Sequence, residues 1–293
     1  MLDFRIETFI TVCDLMNFTK AAEKLNITQP AVSQHIKYLE ELYGVKLFQF
    51  NGKKINITES GKLLLNTAIT MKHDEIHLKE NLKAQQEKNQ TLNFGATLTI
   101  GEFLMPEKLA AIIKEKENVL INMLIANTKE LLEKLDNGTI DFAIVEGYFA
   151  KNDYDHKIFS KEKYAAVCSP NHKFQKFPQK VEDLFVETLI TREEGSGTRE
   201  ILERSLESRN LSLNDFKRKV EISNINVIKE LVKNDCGISF LYEAAVKEEL
   251  ESGLIKKIEL RDMNVEHDMT FIWRKNSVFA SYYCELFEIL KKY

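Results

Sequence analysis

Two groups of side chains in this 293-residue sequence have types and spacing suited to chemistry. The first lies in FTKAAEKLNITQPAVSQHIKYL, residues 18–39, where Gln29, Ser33 and Lys37 recur on one helical face beside Pro30 and Gln34. Glutamine and serine hydrogen-bond base edges in a DNA major groove, and a proline ring contacts a thymine methyl. Lysine suits a phosphate. The second group is Gly195, Ser196, Gly197 and Thr198 in ITREEGSGTRE, between a predicted strand and a predicted helix beginning near Arg199. Free N–H groups at a helix start, with two hydroxyls, favour an anion. Arg192 and Arg199 add positive charge, and the glycines allow the backbone close to a ligand. Thr97 and Thr99 in GATLTIGE, and Thr128 after Asn127, offer hydroxyls behind two further strands, where open α/β sheets bind ligands.

Other chemistry is excluded. His73 and His77 lie four apart in HDEIH, but the glutamate is one position late for HExxH, and an exposed polar helix is the expected setting. Cys13, Cys168, Cys236 and Cys284 form no CxxC pair, so neither a zinc site nor a disulfide framework is expected. Cys236 is read as a buried small hydrophobe. GxxxxGK[ST] is absent, and GSG lacks the GxSxG frame of a hydrolase. No catalytic constellation, metal site or cofactor site is expected.

The reading face needs two helices and a turn. Ala21, Ala22 and Leu25 line the first helix, Asn26-Ile27 makes the break, and Thr28 caps a second helix with Pro30 in its first turn. Val32, Ile36 and Leu39 give that helix its inward face. A preceding helix, Met1 to Met16, carries an apolar stripe of Phe4, Phe9, Val12 and Cys13. YGVKLFQFNGKKINITESG predicts a hairpin turning at Asn51-Gly52, with Lys53 and Lys54 at its tip. From Glu59 to about Asn89 a helix of about 45 Å is expected. Leu64, Ala68, Met71, Leu78, Leu82 and Gln85 fall near a heptad seam that one helix cannot bury alone.

Beyond Thr91, strands alternate with helices. TLNFGA, INMLIAN and IDFAIVEG, then YAAVCSP, VETLITR, VEISN and GISFLYEA, predict a doubly wound parallel sheet. The last helix is expected at Ser277–Lys292. Composition agrees with a folded chain: 44% of residues are apolar. No apolar run reaches the ~20 residues of a membrane span, and MLDFRIETFI lacks the features of a signal peptide. A soluble cytoplasmic protein is the expectation. Residues 1–60 hold seven basic and seven acidic side chains, so one copy would bind DNA weakly and pairing of copies is required.

NFTKAAEKLNITQPAVSQHIKYLEELYGVKLF and ITESG closely resemble the LysR-type bacterial transcriptional regulators, almost position for position in AAEKLNITQPAVSQHIKYLE and GVKLF. That resemblance implies an α/β chain with a winged helix-turn-helix (1–60), a linker or dimerisation helix (61–90) and a two-lobed effector domain similar to periplasmic binding proteins (91–293). Lobe one would be 91–161 with 267–293, and lobe two 162–266. Base readout falls to Gln29, Pro30 and Ser33, with Thr28 beside them, and backbone contacts to Gln34, Lys37, Lys53 and Lys54. Where the family usually carries an arginine two residues after Leu-Phe, this chain has Phe50. Thr97, Thr99, Thr128, Gly195, Ser196, Gly197 and Thr198 would line the inter-lobe cleft. The GSGTR-like loop is similar to that of regulators of sulfur assimilation and carbon fixation, which implies a small anion or carboxylate as effector. The implied partners are double-stranded promoter DNA, that effector, further copies of the chain as dimer or tetramer, and RNA polymerase, with no membrane. An enzyme or a secreted binding protein fits less well: there is no catalytic constellation and no signal peptide, and a DNA reader has no use outside the cell.

Overall fold

The computed structural model describes residues 3–52, 54–87, 90–115 and 118–292. Three helices open the chain: α1 (Phe4–Leu15), α2 (Phe18–Leu25) and α3 (Gln29–Tyr43). Their ends follow local chemistry. The Asp3 carboxylate accepts from the Arg5 N–H, Asn17 from Lys20 and Thr28 from Ala31, so each first turn has a donor satisfied. Asn26 and Gly44 close α2 and α3 in the left-handed conformation. Ile6, Phe9, Val12, Ala21, Ala22, Val32, Ile36 and Leu39 make one core with Leu47 and Phe48. Phe4, expected on the buried stripe, is exposed and lies edge-on to His35.

Strands β1 (Phe48–Asn51) and β2 (Lys54–Ile57) form an antiparallel hairpin. Asn51 pairs with Lys54, so the turn sits one residue later than the Asn-Gly pattern suggested, and Gly52 takes its left-handed φ of 63°. Lys53 lies outside the described residues.

Helix α4 (Glu59–Glu87) is the long helix anticipated from the sequence, but its surfaces are divided differently. Ala68 is buried in the helix-turn-helix core, with Leu64 packed against that core. Leu63, Met71, Leu78 and Leu82 form the exposed apolar side. The single heptad seam is therefore two surfaces, because the first turns must also close the core of α1–α3. The side chain of Gln85 lies outside the described residues.

The rest of the chain is built on one nine-stranded sheet in the order β4-β3-β5-β11-β6-β9-β7-β8, with β10 on β6. Its first end holds β3 (Gln90–Ala96), β4 (Val119–Ile125) and β5 (Phe142–Val145), paired in parallel and joined through a π-helical turn (Ile100–Leu104), α5 (Met105–Glu115) and α6 (Thr128–Asp136). Then comes β6 (Tyr154–Cys168). The far end holds β7 (Thr188–Thr191), α7 (Gly197–Glu207), β8 (Arg218–Glu221), α8 (Ile225–Lys233) and β9 (Ile238–Tyr242), with β7 between β8 and β9 in parallel. Helix α9 (Lys247–Glu251), β10 (Lys256–Ile258), β11 (Val265–Arg274) and α10 (Ala280–Lys292) complete the chain.

The sheet is mixed rather than wholly parallel. β6 and β11 run antiparallel over ten residue pairs, with a register shift at Met269/Thr270. These two long strands carry the chain between the two ends without breaking the sheet. Phe94, Phe142 and Phe271 stack across β3, β5 and β11 at ring separations of 5.0 and 4.5 Å. Among the described residues no helix is long and apolar enough to cross a membrane.

The polar side of α4 docks on the large sheet domain of the same chain. His73 and His77, expected to be exposed, are only 1% and 3% exposed. His73 Nε2 donates to the Ile140 carbonyl (3.1 Å), and His77 Nδ1 donates to Asp141 (2.7 Å) while Nε2 accepts from Asn81 (2.9 Å). Among the described residues no group of three or more side chains could hold a metal ion. Asp74 accepts from the Ser277 hydroxyl (2.6 Å) and the Val278 N–H (2.9 Å). Burial opposes its charge, but these hydrogen bonds, with His73, outweigh burial and hold its carboxyl below the usual aspartate range. A depressed carboxylate adds stability that is present above the unfolded pKa and lost as pH falls through the folded one. Thermal unfolding followed across pH is therefore expected to fall more steeply below about pH 4 in the wild type than in Asp74→Asn.

Candidate functional site

The first surface is the exposed side of α3. Thr28, Gln29, Pro30, Gln34 and Lys37 are exposed and Ser33 is half-buried, while Val32, Ile36 and Leu39 are turned into the core. The helix presents its polar residues because its apolar ones are fully used beneath. Gln29 Nε2 donates to the Ser33 hydroxyl at 2.9 Å, which ties two of the side chains expected to read bases together one turn apart. Lys37 pairs loosely with Glu41 at 3.6 Å, an exposed contact worth little against a phosphate. Lys54 is exposed at the hairpin. A feature the sequence did not announce is Arg5, whose guanidinium lies 4.0 Å over the ring of Tyr38, an exposed residue of α3.

The second surface lies where the two ends of the large sheet meet. Helix α7 begins at Gly197, two residues earlier than the sequence suggested, with Ser196 at the N-cap position. The Ser196 hydroxyl makes no capping bond. A Cβ on Gly197 would fall 2.5 Å from Glu146 Cγ and 2.9 Å from the Gly147 nitrogen. This glycine therefore admits the end of β5 against the start of α7, a close approach within the chain rather than to a ligand. Thr198 donates to Glu146 at 2.9 Å, stands 3.4 Å from the Thr99 hydroxyl, and accepts at its carbonyl from Tyr164 at 2.8 Å. Thr97, Thr99, Thr128, Ser196 and Thr198 are all buried.

The seven expected ligand residues divide. Thr99 and Thr198 meet across the two ends, whereas Thr128, Gly195 and Ser196 line a cavity of about 560 Å³ between α6 and α7. Thr97, Thr99, Gly197 and Thr198 do not line it. The buried polar atoms without a hydrogen-bond partner among the described residues include the hydroxyls of Thr97, Thr128 and Ser196, Arg192 Nη1 and Glu146 Oε2. The other guanidinium nitrogens of Arg192 donate to Glu193 at 2.8 and 2.9 Å. Arg199 is held by Glu203 and Glu221, each at 2.7 Å, and contributes no free charge. Asn226, after the cap of α8, donates to Glu102 at 3.3 Å across the rim. Cys236 is exposed rather than buried, because Asp235 turns left-handed (φ 56°) and carries the chain outward.

Sequence reasoning missed Glu146. It is 1% exposed, and it directly follows the four buried residues of β5, at a strand end where ligands of open sheets bind. That position was the available signal. Burial pushes its carboxyl up, against the hydroxyls of Thr99 and Thr198 and the nearby Arg192 guanidinium. A raised carboxyl gives stability that is complete below the unfolded glutamate pKa and lost as pH rises through the folded one. Glu146→Gln keeps the acceptor without the charge. Its melting temperature is expected to exceed that of the wild type at neutral pH by roughly 2–4 °C per kcal/mol relieved. The gap should close toward pH 4, as followed by calorimetry.

Comparison with known proteins gives consistent matches along the chain. The model of bacterial regulatory helix-turn-helix proteins of the lysR family matches residues 5–62, and that of the LysR substrate binding domain matches residues 85–292. The HTH-type transcriptional regulator CysL of Bacillus subtilis is 31% identical over 273 residues, covering 91% of this chain and 89% of that one. A probable RuBisCO transcriptional regulator of Cyanidium caldarium is 27% identical over 264 residues, with 87% and 82% covered. Among solved structures, full-length LysG of Corynebacterium glutamicum with bound effector Arg overlays with a TM-score of 0.63 at 16% identity, covering 100% of this chain and 99% of that one.

Proposed function

This chain belongs to the LysR family of transcriptional regulators, and from that premise we propose how its two surfaces divide the work. It is a DNA-binding regulator with an effector-binding domain, not an enzyme. In the proposed division, residues 1–60 read DNA, 61–90 link and pair subunits, and 91–293 bind the effector. Gln29, Pro30 and Ser33, after Thr28, read base edges, and Gln34, Lys37, Lys53 and Lys54 touch the backbone. Supporting this is the polar side of α3, exposed at Thr28, Gln29, Pro30, Gln34 and Lys37 with Ser33 half-buried, over a closed core. Self-association is assigned to the exposed apolar side of α4, and it doubles the phosphate contacts that a charge-neutral reader needs. The regulator works in the cytoplasm with RNA polymerase at the same promoter.

The effector carries an anionic group, recognised where α7 begins. The observation that carries this reading is the set of buried donors without partners, namely the hydroxyls of Thr97, Thr128 and Ser196 and the free Nη1 of Arg192. Buried donors of this kind are costly unless something accepts from them. An anion beside the start of a helix also gains from the helix dipole.

Two measurements test the reading. On sites selected by the full-length chain from random DNA, Gln29→Ala with Ser33→Ala should cost about 1–3 kcal/mol per base contact and relax specificity, leaving non-specific binding intact. Lys37→Ala should weaken all sequences alike and reduce the salt slope by about one. Equal loss on every sequence for the first variant contradicts the assignment. A thermal-shift screen of the full-length chain with sulfate, phosphate and small carboxylates should give a saturable rise that Ser196→Ala with Thr128→Val removes. No rise with any of these anions contradicts the anionic effector.

A further inference from the structure

The cavity between α6 and α7 has a charge pattern that an anion does not explain. Its lining includes Glu133, Asp136, Asp153, Glu200 and Glu203 beside the cation Lys129. Arg274, Arg204 and Arg199 pair with Asp136, Glu200 and Glu203, which leaves Glu133 and Asp153 as the lining carboxylates without an ion pair among the described residues. Two of its other lining residues, Ser196 and Thr128, are buried with hydroxyls that have no partner among the described residues. The rings of Tyr148 and Tyr154 complete the wall. Each already carries a cation: Arg204 lies 3.5 Å from the Tyr148 centroid and Arg274 lies 5.1 Å from that of Tyr154. Carboxylates, hydroxyl acceptors and π-faces together are the surroundings of an alkylammonium group. A metal ion fits less well, since no three of the described carboxylates, histidines or cysteines are grouped to hold one.

We propose that this cavity binds a small molecule through a protonated amine. The inference meets the effector reading at Thr128 and the Gly195-Ser196 loop, which both share, and a molecule bearing both charges would satisfy the two together. The cavity also borders the linker helix. Asp153 accepts from Asn66 of α4 at 2.8 Å. Asp136 accepts from Arg274 Nη1 at 2.8 Å and from the Tyr154 hydroxyl at 2.8 Å, and Arg274 Nη2 donates onward to the Asn66 carbonyl at 3.2 Å. An ammonium group taking either aspartate competes with the contacts that seat α4. Occupancy of the cavity thereby reaches the helix that leads to the DNA reader.

Isothermal titration of the full-length chain tests this with putrescine, L-ornithine (putrescine bearing a carboxylate) and succinate as probes. Glu133 and Lys129 are exposed members of the lining, so their substitution spares the core. Putrescine or ornithine is expected to bind, about tenfold more weakly to Glu133→Gln and more tightly to Lys129→Ala, with a remote control, Glu107→Gln, unchanged. No binding by either amine overturns the proposal, as does binding that ignores both lining substitutions or responds equally to the control. Binding of succinate alone leaves the anionic-effector reading standing and this one refuted. Binding of putrescine without succinate or ornithine does the reverse.

Discussion

The fold depends on one buried guanidinium. Arg274 ends β11, is only 1% exposed, and joins the linker helix to the effector half through Asn66 and Asp136. An isolated charge at that depth would be strongly unfavourable, so the carboxylate of Asp136 and the Asn66 oxygens must stay within reach. This requirement fixes where α4 lies. The neighbouring contacts at Thr70, His73, Asp74 and His77 continue the same seam along the helix. Directional hydrogen bonds specify one angle and register for α4, which an apolar contact of equal area would not.

That seam leaves α4 with three distinct jobs. Its first turns complete the helix-turn-helix core through Ala68 and Leu64. Its polar side sits on the large sheet domain, and its remaining apolar side, with Leu63, Met71, Leu78 and Leu82, is exposed and is the side proposed to meet another copy of the chain. A change between the two ends of the large sheet is therefore felt by the same rigid element that carries the reader. Coupling of this kind is allosteric when the ligand favours one arrangement over the other. The contact of Thr99 with Thr198 and the packing of Gly197 on Glu146 are among the points where those two ends touch.

The DNA-reading half was legible because its signals are local. Caps at Asn17 and Thr28, Pro30 in the first turn and the 3–4 spacing of Val32, Ile36 and Leu39 all depend on near neighbours in sequence. The effector half was legible as alternating strands and helices, but two features were not. β6 and β11 run through both ends of the sheet, and their pairing joins residues about a hundred positions apart that no local pattern records. His73 and His77 looked like solvent-facing side chains because their partners, Ile140 and Asp141, arrive from a distant loop. Glu146 was overlooked for a related reason: a lone glutamate after a strand reads as polar punctuation until its burial is known. The GSGT loop was correctly placed at a helix start, yet its second glycine serves contact between the two ends of the sheet.

The most direct test of this account is a double-mutant cycle on Asn66→Ala and Arg274→Met in the full-length chain, read by reversible unfolding. If Arg274 seats the linker helix, the two substitutions should be coupled by about 1–3 kcal/mol, the double variant losing less than the two single losses combined. Additivity within about 0.5 kcal/mol would contradict it, because Arg274 and Asn66 would then contribute independently and the docking of α4 would rest on other contacts.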